Sequence, residues 1–310
     1  MISRRNIRVK VMQTLYVLET RENEAVSDEA VKLLQKQFDL SAELFVSLVH
    51  TLTEVARYAE TDSRLRASKH LPSNEDRNVN IKMAGNELLW TILELPSYKT
   101  AINQYKPQLK IPTDLVKRLY NDLSETEEYK KYIIQAGREK KSEKEILEFI
   151  FNDVILPSEL FQAQIEELFN NWDDDVDMMH QLMHSFLQKQ NNVNFQDMLG
   201  KDKWEFAKGL LETVIAKKEI ALDLIKPKLK NWDPDRIALL DMLLMQMGVC
   251  EFLFFETIPP KVTINEYIDL AKDYSTAQSG QFVNGILDNI HKELLKENKM
   301  HKVAYRAAGG

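Results

Sequence analysis

The stretch IPPKVTINEYIDLAKDYSTAQSGQFVNGILDNIHKELLK, Ile258–Lys296, decides the fold class. Pro259 and Pro260 stop any helix arriving from upstream, because neither carries a backbone N–H. Beyond them Ile264, Tyr267, Ile268 and Ala271 recur at the spacing of one helix face. Thr263 and Glu266 have the form of a capping box, so the pattern predicts a helix over Ile264–Tyr274. A second apolar series, Val283, Ile286, Leu287, Ile290 and Leu294, predicts another over Gly280–Glu297, capped by Ser279.

The same period extends outward. Ile237–Phe255 is the most apolar run, but it contains Asp241, Gln246 and Glu251. Charges that deep in lipid are costly, so a buried core helix over Asp235–Phe255 is expected rather than a membrane span. Lys203–Leu229 reads as one more helix. At the front, Ile7, Val11, Leu15 and Leu18 predict a helix over Arg4–Thr20. Between these ends the spacing predicts helices over Asp28–Phe38, Ala42–Lys69, Ile81–Leu93, Thr113–Gln135, Glu143–Phe151, Ser158–Asn170 and Val176–Gln188. Leu71–Val79 and Pro107–Pro112 read as loops, and Ser142 with Glu145 as a capping box. Asn171-Trp172-Asp173 echoes Asn231-Trp232-Asp233, by duplication of a helical unit or by chance. The tail after Lys299 is expected to be disordered. Only nine Gly and nine Pro serve 310 residues, which favours an all-α chain over a turn-rich β protein.

The lone Cys250 excludes an intrachain disulfide and cysteine metal clusters, and within an apolar helix it reads as inert packing. The N-terminus lacks the apolar core of a signal peptide, so a cytoplasmic location is expected. His180 and His184 lie one turn apart, without the glutamate of a metalloprotease between them. Asp173, Asp175 and Asp177 alternate like the start of a calcium loop, yet Met178 stands where glycine is required. The histidines therefore read as surface or packing residues, and the acids as a run favoured by a helix N-terminus. No nucleophile elbow, phosphate loop or dinucleotide fingerprint occurs. The expectation is a non-enzyme with no cofactor and no metal.

Net charge is −7, and it is unevenly spread. Residues 1–21 carry +4, through Arg4, Arg5, Arg8, Lys10 and Arg21 against Glu19, whereas residues 22–195 carry −10. Cations at a helix N-terminus oppose its dipole, so Arg4, Arg5 and Arg8 suit a bound anion as well as a solvated basic surface. Ser279–Gly285 supplies free backbone N–H groups for phosphate, Phe282 for stacking and Asn284 for a base edge.

Together these segments resemble the NusB family of transcription antitermination factors. The opening helix of that family carries Arg-Arg-x-x-Arg and then Gln-x-Leu-Tyr, here Arg4-Arg5-Asn6-Ile7-Arg8 and Gln13-Thr14-Leu15-Tyr16. Its later blocks are matched by Pro259-Pro260-Lys261-Val262-Thr263-Ile264-Asn265-Glu266, Leu270-Ala271-Lys272 and Phe282-Val283-Asn284-Gly285-Ile286-Leu287-Asp288. Gln281 replaces a basic residue frequent in the family, Cys250 a tyrosine and Gln246 an arginine. The resemblance implies an all-α NusB-like bundle of two packed helical subdomains, formed by residues 1–21 and 196–300. Residues 22–195 are then an acidic helical insertion, and 301–310 a tail.

It further implies capture of single-stranded boxA-type RNA in ribosomal RNA transcripts together with ribosomal protein NusE. RNA polymerase and other Nus factors join indirectly, no membrane is involved, and a homodimer is allowed. By position, Arg4, Arg5 and Arg8 would hold RNA phosphates with Phe282 and Asn284 beside the bases, and Tyr16 and Asp241 would contact NusE. The competing readings are a helical interaction scaffold with little RNA binding, and an RNA methyltransferase. The latter lacks its cofactor loop and catalytic cysteine motif here.

Overall fold

The computed structural model describes residues 2–21, 27–189, 193–229 and 237–303. Every extended regular element among them is helical: α1 (Arg4–Thr20), α2 (Ser27–Ala67), α3 (Asn74–Arg77), α4 (Glu87–Glu94), α5 (Pro96–Tyr105), α6 (Thr113–Glu125), α7 (Glu127–Ile134), α8 (Lys140–Phe149), α9 (Glu159–Leu168), α10 (Trp172–Gln188), α11 (Lys201–Ala216), α12 (Lys218–Ile225), α13 (Leu239–Phe254), α14 (Pro260–Tyr274) and α15 (Ser279–Lys296). A π-helical segment, Ile150–Ile155, follows α8. The all-α class expected from the sequence is the class observed. Among the described residues no helix is long and apolar enough to cross a membrane.

The chain divides into two units. One, the terminal unit, comprises Ser3–Phe38 and Leu199–Gly310; the other, the middle unit, comprises Asp39–Met198 with Met1–Ile2. These boundaries fall beyond the composition breaks at 21/22 and 195/196. Helix α2 contributes residues 27–38 to the terminal unit and 39–67 to the middle unit. The two helices expected over Asp28–Phe38 and Ala42–Lys69 are one, because nothing between them breaks a helix; Ser41 donates instead to the buried carboxylate of Asp175.

In the terminal unit α13 is the centre. Leu243 to Phe252 are buried without a break, and the helix packs against α1, α11, α12, α14 and α15. Each large apolar side chain removed from water there contributes about 1.5–3 kcal/mol. Helix α14 starts at Pro260, earlier than expected, since proline is pre-set for the first helical turn. Thr263 therefore lies inside the helix and bonds Glu251, so the predicted capping box with Glu266 does not form. The helix expected over Lys203–Leu229 breaks at Lys217, between α11 and α12. The expected start at Asp235 and the Asn231-Trp232-Asp233 echo lie outside the described residues, as does the tail over 304–310. The tail residues before it are not loose. Lys302 Nζ donates to the carbonyls of Glu251 and Phe255 at 2.7 Å each, capping the C-terminal end of α13.

The middle unit has its own core, in which Phe45 stacks on Phe195 at 5.8 Å while Phe186 and Tyr98 close around them. The helix expected over Thr113–Gln135 is two, because the Thr126 side chain caps α7. Ser142 does not cap α8; its hydroxyl donates to Glu139 O inside the first turn. Helix α5, which the apolar spacing missed, begins at Pro96.

Candidate nucleic-acid interface

Helix α1 opens with a capping box that the sequence reading missed: Ser3 accepts from the Asn6 backbone, and the Asn6 side chain accepts from Ser3 N. This fixes the first turn and thereby the three arginines, which face three different surroundings. Arg4 is exposed, its guanidinium 5.2 Å from the ring centre of Phe206 on α11. Lys203, one turn before Phe206, is held below its ordinary value by burial and then by the charge of Arg4. Two cations thus share one surface. Arg5 bonds Asp273 at 2.6 Å, with both side chains partly open to water.

Arg8 departs from the expectation that it holds phosphate. It is 2% exposed. Its Nε and Nη2 donate to Glu251 at 2.7 and 3.1 Å, and its Nη1 to Glu266 at 3.1 Å. Burial opposes the charge, but the hydrogen bonds and charge of the glutamates outweigh it and hold the guanidinium above its ordinary value. Glu251 is itself fully buried and also accepts from Thr263 at 3.0 Å and Tyr267 at 2.8 Å. A charge inside the apolar α13 demanded such partners. Arg8 therefore ties α1 to α13 and α14, with every nitrogen committed to a carboxylate. Beside it, burial and then Glu251 push the Cys250 thiol up to about 12, which fits inert packing.

At the other end of the surface, α14 and α15 pack closely. A side chain at Gly280 would meet Lys272 Cγ at 2.8 Å and Ile268 O at 3.5 Å. Asp273, the partner of Arg5, follows Lys272 directly, so the start of α1 reaches the junction from which α15 departs. Phe282 is half-buried and Asn284 exposed in the opening turns of α15. Ser279 does not cap α15 but occupies its first position, donating to Asp241 Oδ2 at 2.8 Å.

Asp241 likewise departs from its expected role as a partner contact. It is 6% exposed, because α13 buries its first turn against α15. Its Oδ1 has no hydrogen-bond partner among the described residues. Tyr16, by contrast, is 44% exposed on α1. The residues that sequence reading missed are Lys203, Phe206, Asp273, Glu251 and Glu266. Glu251 left a signal as an acid within the most apolar run, and Glu266 stood out only as a cap candidate and in the family block. Among the described residues no three His, Cys, Asp or Glu side chains come together as a metal site. His184 Nδ1 instead lies 3.4 Å from Glu148.

Residues 174–292 match the family model described as NusB family. A transcription antitermination protein NusB from Finegoldia magna is 40% identical over 110 residues, 36% of this chain and 74% of that protein. Its counterpart from Desulfatibacillum aliphaticivorans is 42% identical over 102 residues, 33% of this chain and 71% of the relative. That from Salinibacter ruber is 40% identical over 98 residues, spanning 32% and 61%. Among solved structures, T. maritima NusB is 32% identical with a TM-score of 0.30, covering 35% of this chain and 82% of that one.

Proposed function

The chain belongs to the NusB family, and from that premise we propose that it is a non-enzymatic, cytoplasmic transcription antitermination factor. It captures boxA-type RNA in ribosomal RNA transcripts together with ribosomal protein NusE, and through that complex meets RNA polymerase and other Nus factors. The observation that carries this reading is the convergence of two chain ends. The Arg5–Asp273 contact and the Lys272–Gly280 packing set the cationic start of α1 beside the first turns of α15. Arg4, Arg5 and Lys203 are the phosphate ligands, since a phosphate can replace Asp273 on Arg5 and relieve the repulsion between Arg4 and Lys203. Phe282 stacks on a base and Asn284 reads an edge. Arg8 and Asp241 lie beneath this surface as positioning residues, and Tyr16 offers the exposed contact for NusE.

Two or three phosphates on a single strand give a salt slope of about −1.5 to −2. The test titrates boxA-type RNA against the wild type and Arg4→Ala/Arg5→Ala, with and without NusE, at two salt concentrations. The variant is expected to bind more weakly and with a flatter slope while its melting temperature stays the same. Equal binding by both proteins would replace this reading with that of an interaction scaffold.

A further inference from the structure

We propose that a cleft in the middle unit is a binding site for a small acidic amino acid, a molecule with two carboxylates and one ammonium. The cleft encloses about 470 Å³, within the roughly 300–1,000 Å³ typical of small-molecule sites. One wall is the face of α2 that carries His50, Thr53, Glu54 and Arg57, residues brought into line by helical spacing. The opposite wall is α5, with Tyr98 and Lys99.

The charged groups are arranged rather than scattered. The Arg57 guanidinium lies 5.9 Å from the Trp90 ring centre, and its Nη1 is 3.5 Å from Glu54 Oε1, at the limit of a hydrogen bond. Its Nε is buried and has no hydrogen-bond partner among the described residues. The side chain as a whole is 39% exposed, so the Nη end of the guanidinium is open to a carboxylate in the cleft. Thr53 donates to His50 O, which leaves the Tyr98 hydroxyl to donate to Thr53 Oγ1 at 3.3 Å and closes the floor. Burial, and then the charge of Arg57, lower His50 to about 4, so the imidazole is neutral at physiological pH. The cleft therefore presents two cations, Arg57 and Lys99, against one anion, Glu54. An acidic amino acid has the inverse set. One carboxylate pairs with Arg57, its ammonium with the adjacent Glu54, and the second carboxylate with Lys99. Leu93 and Ile102 cover the methylenes between.

This site lies wholly within the middle unit and does not depend on RNA binding. Calorimetric titration of the full chain with L-glutamate, glutarate and inorganic phosphate tests it. Saturable L-glutamate binding is expected with a Kd on the order of 1 mM or tighter. Glutarate, which offers no ammonium to Glu54, should bind about tenfold more weakly, and Arg57→Gln should weaken L-glutamate by at least about tenfold. Lys99 is exposed, so Lys99→Gln should keep the wild-type melting temperature while also losing affinity. The proposal is overturned by absence of saturable L-glutamate binding, by phosphate or glutarate binding as tightly as L-glutamate, or by wild-type affinity in folded Lys99→Gln.

Discussion

At the scale of the residue, three arginines within one turn and a half have unlike fates, and the partners decide them. Glu251 and Glu266 lie 243 and 258 residues from Arg8 along the chain. No local pattern could therefore separate Arg8, which turns inward, from Arg4, which does not. Removing one member of a buried ion pair strands the other charge, at a cost of about 3–5 kcal/mol. Arg8→Ala is expected to lose that much in chemical denaturation, and Arg4→Ala less than about 0.5 kcal/mol; equal losses would mean that Arg8 is not buried in solution. His50 gives a second test. Its folded value of about 4 lies below the ordinary 6.5. The unfolded chain therefore binds a proton that the native chain refuses. Stability from this group is complete above pH 6.5 and is lost as pH falls to about 4, with a ceiling of about 3 kcal/mol. In His50→Gln the decline between those pH values should be shallower by that increment. Arg57, whose charge adds to the shift, and Glu54, which burial holds above its ordinary value, face the same cleft.

At the scale of the element, the helices were legible because apolar residues repeat at the helical period whether or not the partner helix is known. Helix ends were less so. Ser142 and Thr263 have the residue types of caps, yet each sits inside a helix that an earlier Glu139 or Pro259 had already opened. Two glycines show what packing adds to propensity. Alanine at either should gain about 1 kcal/mol of helix propensity. At Gly248 the new Cβ would lie 2.9 Å from Leu287 Cδ2 and 3.3 Å from Tyr267 Cδ2, both on packed helices. Overpacking there costs about 1–3 kcal/mol, so Gly248→Ala should lower the melting temperature. At Gly285 nothing among the described residues lies within 4 Å of the new Cβ, so Gly285→Ala should raise it. Stability alone gives Gly285 no reason to lack a side chain. The proposed function gives one, the close approach of RNA to α15, so the same variant should bind boxA-type RNA more weakly. A more stable protein with undiminished RNA binding would remove Gly285 from the interface.

At the scale of the whole molecule, charge is the property that sequence conveyed most directly and that the fold then rearranged. The +4 of residues 1–21 is not a free patch, since Arg8 is neutralised internally, Lys10 is buried, and Arg5 and Arg21 face Asp273 and Glu29. Arg4 stays exposed, with Lys203 near enough to feel its charge, from a segment that composition gave no cause to single out. Against this small cationic surface stands the −10 of residues 22–195. Such a field discourages polyanions at long range, but only where salt permits. The screening length is about 30 Å at 0.01 M and about 8 Å at 0.15 M. Asp122, Glu166 and Glu167 are exposed acids of the middle unit. Neutralising them as Asp122→Asn, Glu166→Gln and Glu167→Gln should raise affinity for a homopolymeric RNA severalfold at the lower salt. At the higher salt the gain should vanish, while affinity for boxA-type RNA, set by short-range contacts, changes little. If the gain persisted at the higher salt, the acids would be acting by contact with RNA rather than through their field.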